Sequence, residues 1–307
     1  MIVAEVVRSG FVESRHHGSV VVLDAAGAVS EQAGDVTGPV FPRSSNKPLQ
    51  TVGMARAGLE PAGGADLALI SGSHRGEPFH IRRVRDILAA AGLEPGALRC
   101  PPDLPLSVEA RDAVLRDGGG AQRILMNCSG KHAGMLATCV ANGWPLESYL
   151  DPKHPLQVGI AQAVADLAGE PIAATGVDGC GAPVFAFSLT ALARAYQRLV
   201  DAPPGTHERR VADEMRAHPE LVSGTGAEDT VLMDAVPGLL AKGGAEGVVA
   251  AAIPGVGAVA LKIEDGATRA RTPLLLSALK RLGVEAPALE VPVLGGGVPV
   301  GEVRATW

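Results

Sequence analysis

A serine and a lysine three residues apart, in Pro42-Arg43-Ser44-Ser45-Asn46-Lys47-Pro48, are the first side chains of this sequence whose types and spacing suit covalent chemistry. At a helix start, residues i and i+3 share a face, so the spacing predicts that the Lys47 amine reaches the Ser44 hydroxyl. Desolvation would lower the lysine pKa and let a neutral amine take the serine proton. The helix N-terminus would favour an oxyanion formed beside it. A four-residue pattern of this kind needs structural context, because a solvated serine and lysine on a helix start produce it equally well.

Four further clusters break the apolar background. Ser71-Gly72-Ser73-His74-Arg75-Gly76-Glu77-Pro78-Phe79-His80 follows the apolar run Leu67 to Ile70 and precedes a helical stretch. Strand, glycine-rich turn and helix is an arrangement that displays reactive side chains. Helix capping by Ser or Glu would explain part of this cluster, but it does not call for two histidines, a glutamate and two serines together. Asn127-Cys128-Ser129-Gly130-Lys131-His132-Ala133-Gly134 and Gly176-Val177-Asp178-Gly179-Cys180-Gly181-Ala182-Pro183 together offer two thiols, a lysine, a histidine and a carboxylate. Two thiolates with a nitrogen or oxygen donor could hold zinc. The same thiols could be buried small hydrophobes, or Cys128 could be a nucleophile beside His132. In Lys242-Gly243-Gly244-Ala245-Glu246-Gly247 the glycines let a backbone edge approach a ligand, and the lysine could face a serine or a carboxylate; a simple turn reads the same way. Ser223-Gly224-Thr225-Gly226 is a further polar loop, with Glu228 in the helix-start region after it.

The elements that must carry these clusters come from both ends of the chain. Ile2 to Val7 and Ser19 to Leu23 read as strands, as do Val248 to Ile253 and Val256 to Ile263 around a turn at Pro254-Gly255. Thr272 to Leu282 has helical apolar spacing and ends on Lys280-Arg281. Between them the sequence is mostly helical: Lys47 to Ala57, Pro78 to Ala91, Val108 to Arg116, His132 to Asn142, Pro155 to Leu167, Ser188 to Leu199, His207 to Ala217 and Glu228 to Val236. The fold class expected is α/β in the α+β sense. An antiparallel sheet drawn from both termini, residues 1–40 and 241–307, encloses a helical portion at about 47–240, the whole forming one catalytic domain over 1–307.

Composition agrees with a large packed core. The 307 residues are 47% hydrophobic and 20% charged, which excludes a disordered chain. Aromatics are only 3%, so small side chains must do the packing and backbones can come close. Lys and Arg number 27 against 33 Asp and Glu, a net charge of −6, so there is no basic field for nucleic acid and no polybasic membrane patch. No charged leader precedes a long apolar run, and four cysteines are too few for a disulfide framework; the expectation is a cytoplasmic protein without a membrane span.

Taken in order, RSSNKPLQ, SGSHRGEPFH, NCSGKHAGML, GVDGCGAP and KGGAEG resemble the class 3, rhizobial-type L-asparaginase family, also called asparaginase II, from about Glu5 to Ile263. That family is similar in fold to the serine β-lactamases and the serine-dependent glutaminases. The resemblance implies hydrolysis of L-asparagine to L-aspartate and ammonia. It implies that Ser44 with Lys47, and Ser73 with Lys242, form two Ser-Lys pairs, Lys262 being a weaker match for the last position. It implies zinc at Cys128, Lys131 and Cys180, with Asp178 near the substrate, and a homodimer. A lysine on zinc must be neutral, so His132 is the chemically more ordinary ligand, and only the resemblance points to Lys131.

On these expectations Ser44 is the nucleophile with Lys47 as its base, while Ser73 and Lys242 relay a proton to the departing amine. The substrate ammonium would meet Asp178 or Glu77, and its carboxylate Arg43 or backbone amides; His74 belongs to the same substrate-facing set. The competing readings are a cysteine amidase using Cys128 and His132, and a non-enzymatic zinc- or amino-acid-binding protein.

Overall fold

A computed structural model describes all residues from Met1 to Trp307. Strands β1 (Ile2–Arg8), β2 (Phe11–Leu23) and β3 (Val29–Ala33) open the chain, and β4 (Pro39–Val40) leads through a 3-10 turn at Arg43–Asn46 into helix α1 (Lys47–Arg56). Helices α2 (Ala65–Ile70), α3 (Pro78–Ala90), α4 (Val108–Arg116), α5 (Ser129–Asn142) and α6 (Pro155–Ala168) follow. Two strands, β5 (Ala174–Val177) and β6 (Pro183–Ser188), precede α7 (Leu189–Asp201), α8 (His207–Ala217), α9 (Pro219–Ser223) and α10 (Glu228–Ala235). The chain closes with β7 (Leu240–Gly243), β8 (Val248–Ile253), β9 (Gly257–Ile263), α11 (Arg271–Arg281), β10 (Pro292–Gly295) and β11 (Val298–Ala305).

The main sheet runs β10-β11-β1-β2-β9-β8-β7, every neighbour antiparallel, with β3 added on β2. The N-terminal hairpin is thus threaded between the C-terminal strands: β1 pairs with β11 and β2 with β9, Val20 opposite Leu261 and Val22 opposite Val259. This is the sheet from both chain ends that the apolar runs predict. All six residues of β8 are buried, as a strand covered on both faces requires; α7 and α11 both pack against it.

Helix α1 sits at the centre of the helical half. Every residue from Lys47 to Ala55 is buried, so an amphipathic pattern is absent, and Pro48 in the first turn sets its start. A side chain at Gly53 would put its Cβ 2.9 Å from the Ile160 Cα, so this glycine is what lets α1 and α6 lie in close contact. The scarcity of aromatic residues is expressed here as backbone approach.

Three local expectations are corrected. Leu67 to Ile70 is not a strand but the end of helix α2; a short apolar run has no periodicity to tell the two apart. The stretch between residues 47 and 240 contains β5 and β6, which join β4 in a separate three-stranded sheet. The C-terminal hairpin β10-β11 was invisible because glycine and proline punctuate its sequence as they would a loop. No helix is long and apolar enough to cross a membrane.

Candidate active site

Lysine is rarely buried without a partner, yet three lysines, Lys47, Lys131 and Lys242, are each at most 2% exposed. Each marks part of one connected region. Lys47 opens α1, and its Nζ donates to the Gly72 carbonyl at 2.5 Å and to Ser73 Oγ at 3.0 Å. Gly72 and Ser73 leave the end of α2 and are held by the Ser73 N–H bond to the Val222 carbonyl. The lysine of the S-x-x-K pattern therefore grips the second serine rather than the first. Ser44 lies on the 3-10 turn that precedes α1, where only its backbone carbonyl meets Lys47. Among the neighbouring hydroxyls, Ser45 donates to the Lys242 carbonyl and Ser71 to Thr51, whereas Ser44 Oγ has no partner in the chain.

Lys242 comes from β7, not from a turn. Its Nζ donates to the Gly243 carbonyl at 2.7 Å and to Asp229 Oδ2 at 3.3 Å. Asp229 also accepts from Ser223 Oγ at 2.7 Å and from the Gly243 N–H. Burial opposes charge on Asp229, but Lys242, Arg271 and these donors outweigh it and hold its carboxyl at about 2. Burial pulls the Lys242 amine below its ordinary value; Asp229 resists, while Lys47 and Arg271 add to the depression. Ser73, Asp229, Lys242 and Arg271 line one cleft of about 350 Å³, together with Arg75 and Glu228. Lys262 lies outside it, donating to the Glu246 and Ile263 carbonyls. Sequence reading missed Asp229 and Arg271: they stand 13 and 29 positions from Lys242, and no motif links them.

Arg43 and Asp178 pair with each other outside the set of residues that lines this cleft. Arg43 Nε donates to Asp178 Oδ1 at 2.8 Å, and its Nη1 lies 3.7 Å from Glu246 Oε1. Strand β5 carries Asp178 at its end, and the tight turn through Gly179, Cys180 and Gly181 returns the chain to β6.

The thiol cluster adjoins Asp178, whose Oδ2 lies 4.0 Å from Cys180 Sγ. Lys131 Nζ donates to Cys180 Sγ at 3.2 Å, and Cys128 Sγ donates to Asn127 Oδ1. The two neighbouring thiols shift each other, Cys180 down and Cys128 up, and burial adds to the rise of Cys128. Burial disfavours charge on Lys131, but Cys180, Cys128 and Asp178 carry its pKa upward. His132 Nδ1 lies 2.6 Å from the Tyr149 hydroxyl, and its Nε2 is buried without a partner. No cluster of three or more His, Cys, Asp or Glu donors has metal-holding geometry. A tetrahedral ion here would have to count Lys131, or draw on the orphaned His132 nitrogen.

Two substrate-facing expectations land elsewhere. Glu77 accepts from the Thr225 N–H and Oγ1 at 2.9 and 2.7 Å and caps α3, so its carboxylate is spent on the 223–226 loop. His74 is fully buried: its Nδ1 accepts from the Gly76 N–H and its Nε2 meets Ser129 Oγ at 2.8 Å. Both position the loops that carry Ser73; neither reaches the cleft that Lys242 lines.

Among solved structures, the chain is similar to a β-lactamase from Mycobacterium bovis, with 16% identity over 86% of this chain and 94% of that one and a TM-score of 0.44. It is similar to EstCE1, a hydrolase with promiscuous acyltransferase activity, at 14% identity over 86% and 93%, with a TM-score of 0.46. It is also similar to Mglu in its glutamate form, at 16% identity over 88% and 63%, with a TM-score of 0.37. No curated protein matches it. The L-asparaginase II family model matches residues 4–305, beyond the Ile263 limit that the motifs marked, and the chain belongs to the asparaginase II family.

Proposed function

We propose that this amidohydrolase-family protein hydrolyses L-asparagine to L-aspartate and ammonia through a serine acyl-enzyme. The observation that carries the reading is the 3.0 Å contact between Lys47 Nζ, three residues on from Ser44, and Ser73 Oγ, which lines a cleft together with Lys242. Ser44 is our nucleophile, because it is the hydroxyl without a protein partner and can be aimed at a carbonyl. Its oxygen attacks the side-chain amide carbon; the hydroxyl proton passes to the Lys47–Ser73 couple. Collapse of the tetrahedral intermediate breaks the C–N bond, and the couple returns that proton to the leaving nitrogen as ammonia. Water then attacks the ester and releases aspartate and free serine. The same contact favours a second reading, Ser73 as nucleophile.

The free amino acid carries both charges, and the Arg43–Asp178 pair offers the complement of each. Within this reading, zinc would be held by Cys128, Lys131 and Cys180, with water as a further ligand. The chemistry a bound ion supplies is structural anchoring of the segments that carry these residues. For it to bind, Lys131 must give up its proton. Residues 1–307 act as one catalytic domain, working as a homodimer in the cytoplasm.

The test is ammonia release from L-asparagine and L-glutamine, with and without a chelator. Release from asparagine that survives Cys128→Ala and vanishes in Ser44→Ala supports the reading. Stoichiometric binding without ammonia would favour a binding protein, and the reverse mutant pattern a cysteine amidase.

A further inference from the structure

The buried lysines Lys47 and Lys242 have different partners, and this separates their jobs. Lys47 Nζ meets only neutral groups, the Gly72 carbonyl and the Ser73 hydroxyl. Lys242 Nζ meets a carboxylate, Asp229, that is itself 5% exposed. Asp229 is built into its place: Ser223 Oγ, the Gly243 N–H and Lys242 Nζ all donate to it. Gly243 is the residue after Lys242, so one carboxylate fixes both the amine and the backbone that carries it.

We propose that Asp229 is a positioning residue that holds Lys242 as a permanent ammonium facing the cleft, so that Lys242 stabilises negative charge there and takes no proton in turnover. The proposal rests on the amidohydrolase reading for its consequence but not for its physics. An ammonium buried without a counter-charge is costly to hold and would shed its proton instead. The charged groups facing Lys242 are Asp229 from α10, Lys47 from α1 and Arg271 from α11. Asp229 is the one anion among them, so it is the group that keeps the amine charged. Arg271 is in turn occupied by Glu228, at 2.8 Å, and by the Gly244 carbonyl. A fixed cation aimed at the reacting carbonyl acts as a preorganised electrostatic group, stronger in the transition state than in the ground state. The proton relay assigned to Ser73 and Lys242 from sequence then falls to Ser73 and Lys47 alone.

The experiment is an NMR titration of lysine side-chain 15Nζ, with the Lys242 signal assigned by its loss in Lys242→Arg, run beside pH profiles of ammonia release. In the unsubstituted protein the Lys242 signal should be that of an ammonium at pH 7; a neutral amine there overturns the proposal without any variant. In Asp229→Asn its deprotonation midpoint should fall by at least one pH unit. The kcat should drop about 100-fold at pH 8 and recover at lower pH, and Asp229→Glu should restore most of both. An unchanged midpoint in Asp229→Asn, or a loss of kcat parallel to the original profile at all pH values, overturns the proposal and leaves Asp229 merely structural. Should the unsubstituted protein release no ammonia from any carboxamide, the hydrolase reading fails, while the 15Nζ titration still decides the charge of Lys242.

Discussion

Arg43 and Glu246 are two of the three non-glycine residues in the left-handed backbone region, with φ of 52° and 58°, and they face each other 3.7 Å apart. One immediately precedes Ser44; the other lies in the turn after Lys242 and Gly243. Such conformations cost on the order of 1–2 kcal/mol without a glycine and cluster where geometry matters more than stability. Glu246 is 60% exposed at its side chain, so the ion pair itself adds little. Glu246→Gly should therefore stabilise the fold by about 1 kcal/mol, raising Tm by roughly 2 °C. At the same time KM should rise several-fold, because Arg43 loses its guide. A thermal melt and a steady-state titration check both, and a lower Tm would show that the turn is not strained.

The competing serines separate by where the acyl group lodges. Lys47 holds Ser73 at 3.0 Å, and Ser44 is free. With a slowly hydrolysed ester or hydroxamate of aspartate, the added mass should map to Ser44. Ser73→Ala should keep acylation but slow it by about 10²–10⁴, the usual worth of a positioned proton carrier. Ser44→Ala should give no adduct. Peptide mapping after acid quench reads the outcome, and an adduct on Ser73 would exchange the two roles.

How much of this site could be read from the chain alone depends on where each partner lies. The S-x-x-K pattern is local, and it singles out Lys47, which the fold buries. The pattern could not say that Lys47 would turn away from Ser44, because a 3-10 turn rather than an α-turn separates them and Ser73 is brought in by α2. Strand β7 explains Lys242, since its buried run is only four residues long and reads as a turn from sequence. Asp229 gave no signal at all: an acidic residue in the first turn of a helix is the most ordinary of placements. The sheet was legible where its strands are continuous apolar runs, as in β8 and β9, and lost where glycine and proline interrupt, as in β10 and β11.

Acid sensitivity follows from His74 and His80, whose rings stack at 5.2 Å. In each, Nδ1 accepts a backbone N–H, from Gly76 and from Glu77, so protonation there breaks a hydrogen bond. Burial lowers both pKa values, His74 furthest, with His80 and Lys47 adding charge repulsion. The unfolded chain therefore binds protons first as pH falls. Stability is fully present above about pH 6.5 and declines below it, until the folded-state values are reached. Two protons give a slope of up to roughly 3 kcal/mol per pH unit. Urea unfolding at pH 7.5 and 5.5 should show a marked drop, and His80→Gln should remove about half the slope. A flat profile would mean that these rings are protonated in the native state.

The thiols supply the sharpest contrast with a cysteine mechanism. All four cysteines are buried and unpaired, Cys128 at 4% exposure and Cys180 at 1%. A reactive cysteine needs an exposed thiolate. The Cys128 thiol is pushed up by the neighbouring Cys180 and by burial, and it donates to Asn127 rather than to His132. The Cys180 thiol is instead pulled down, by Cys128 and Lys131 beside it, and no solvent reaches it. Cys100 and Cys139 are both raised to about 11 by burial. A thiol-specific disulfide reagent should thus find no fast-reacting group in the native protein and four after denaturation, and alkylation for an hour at pH 8 should leave most ammonia release intact. Rapid inactivation, slowed by asparagine, would move the nucleophile from the serines to Cys128.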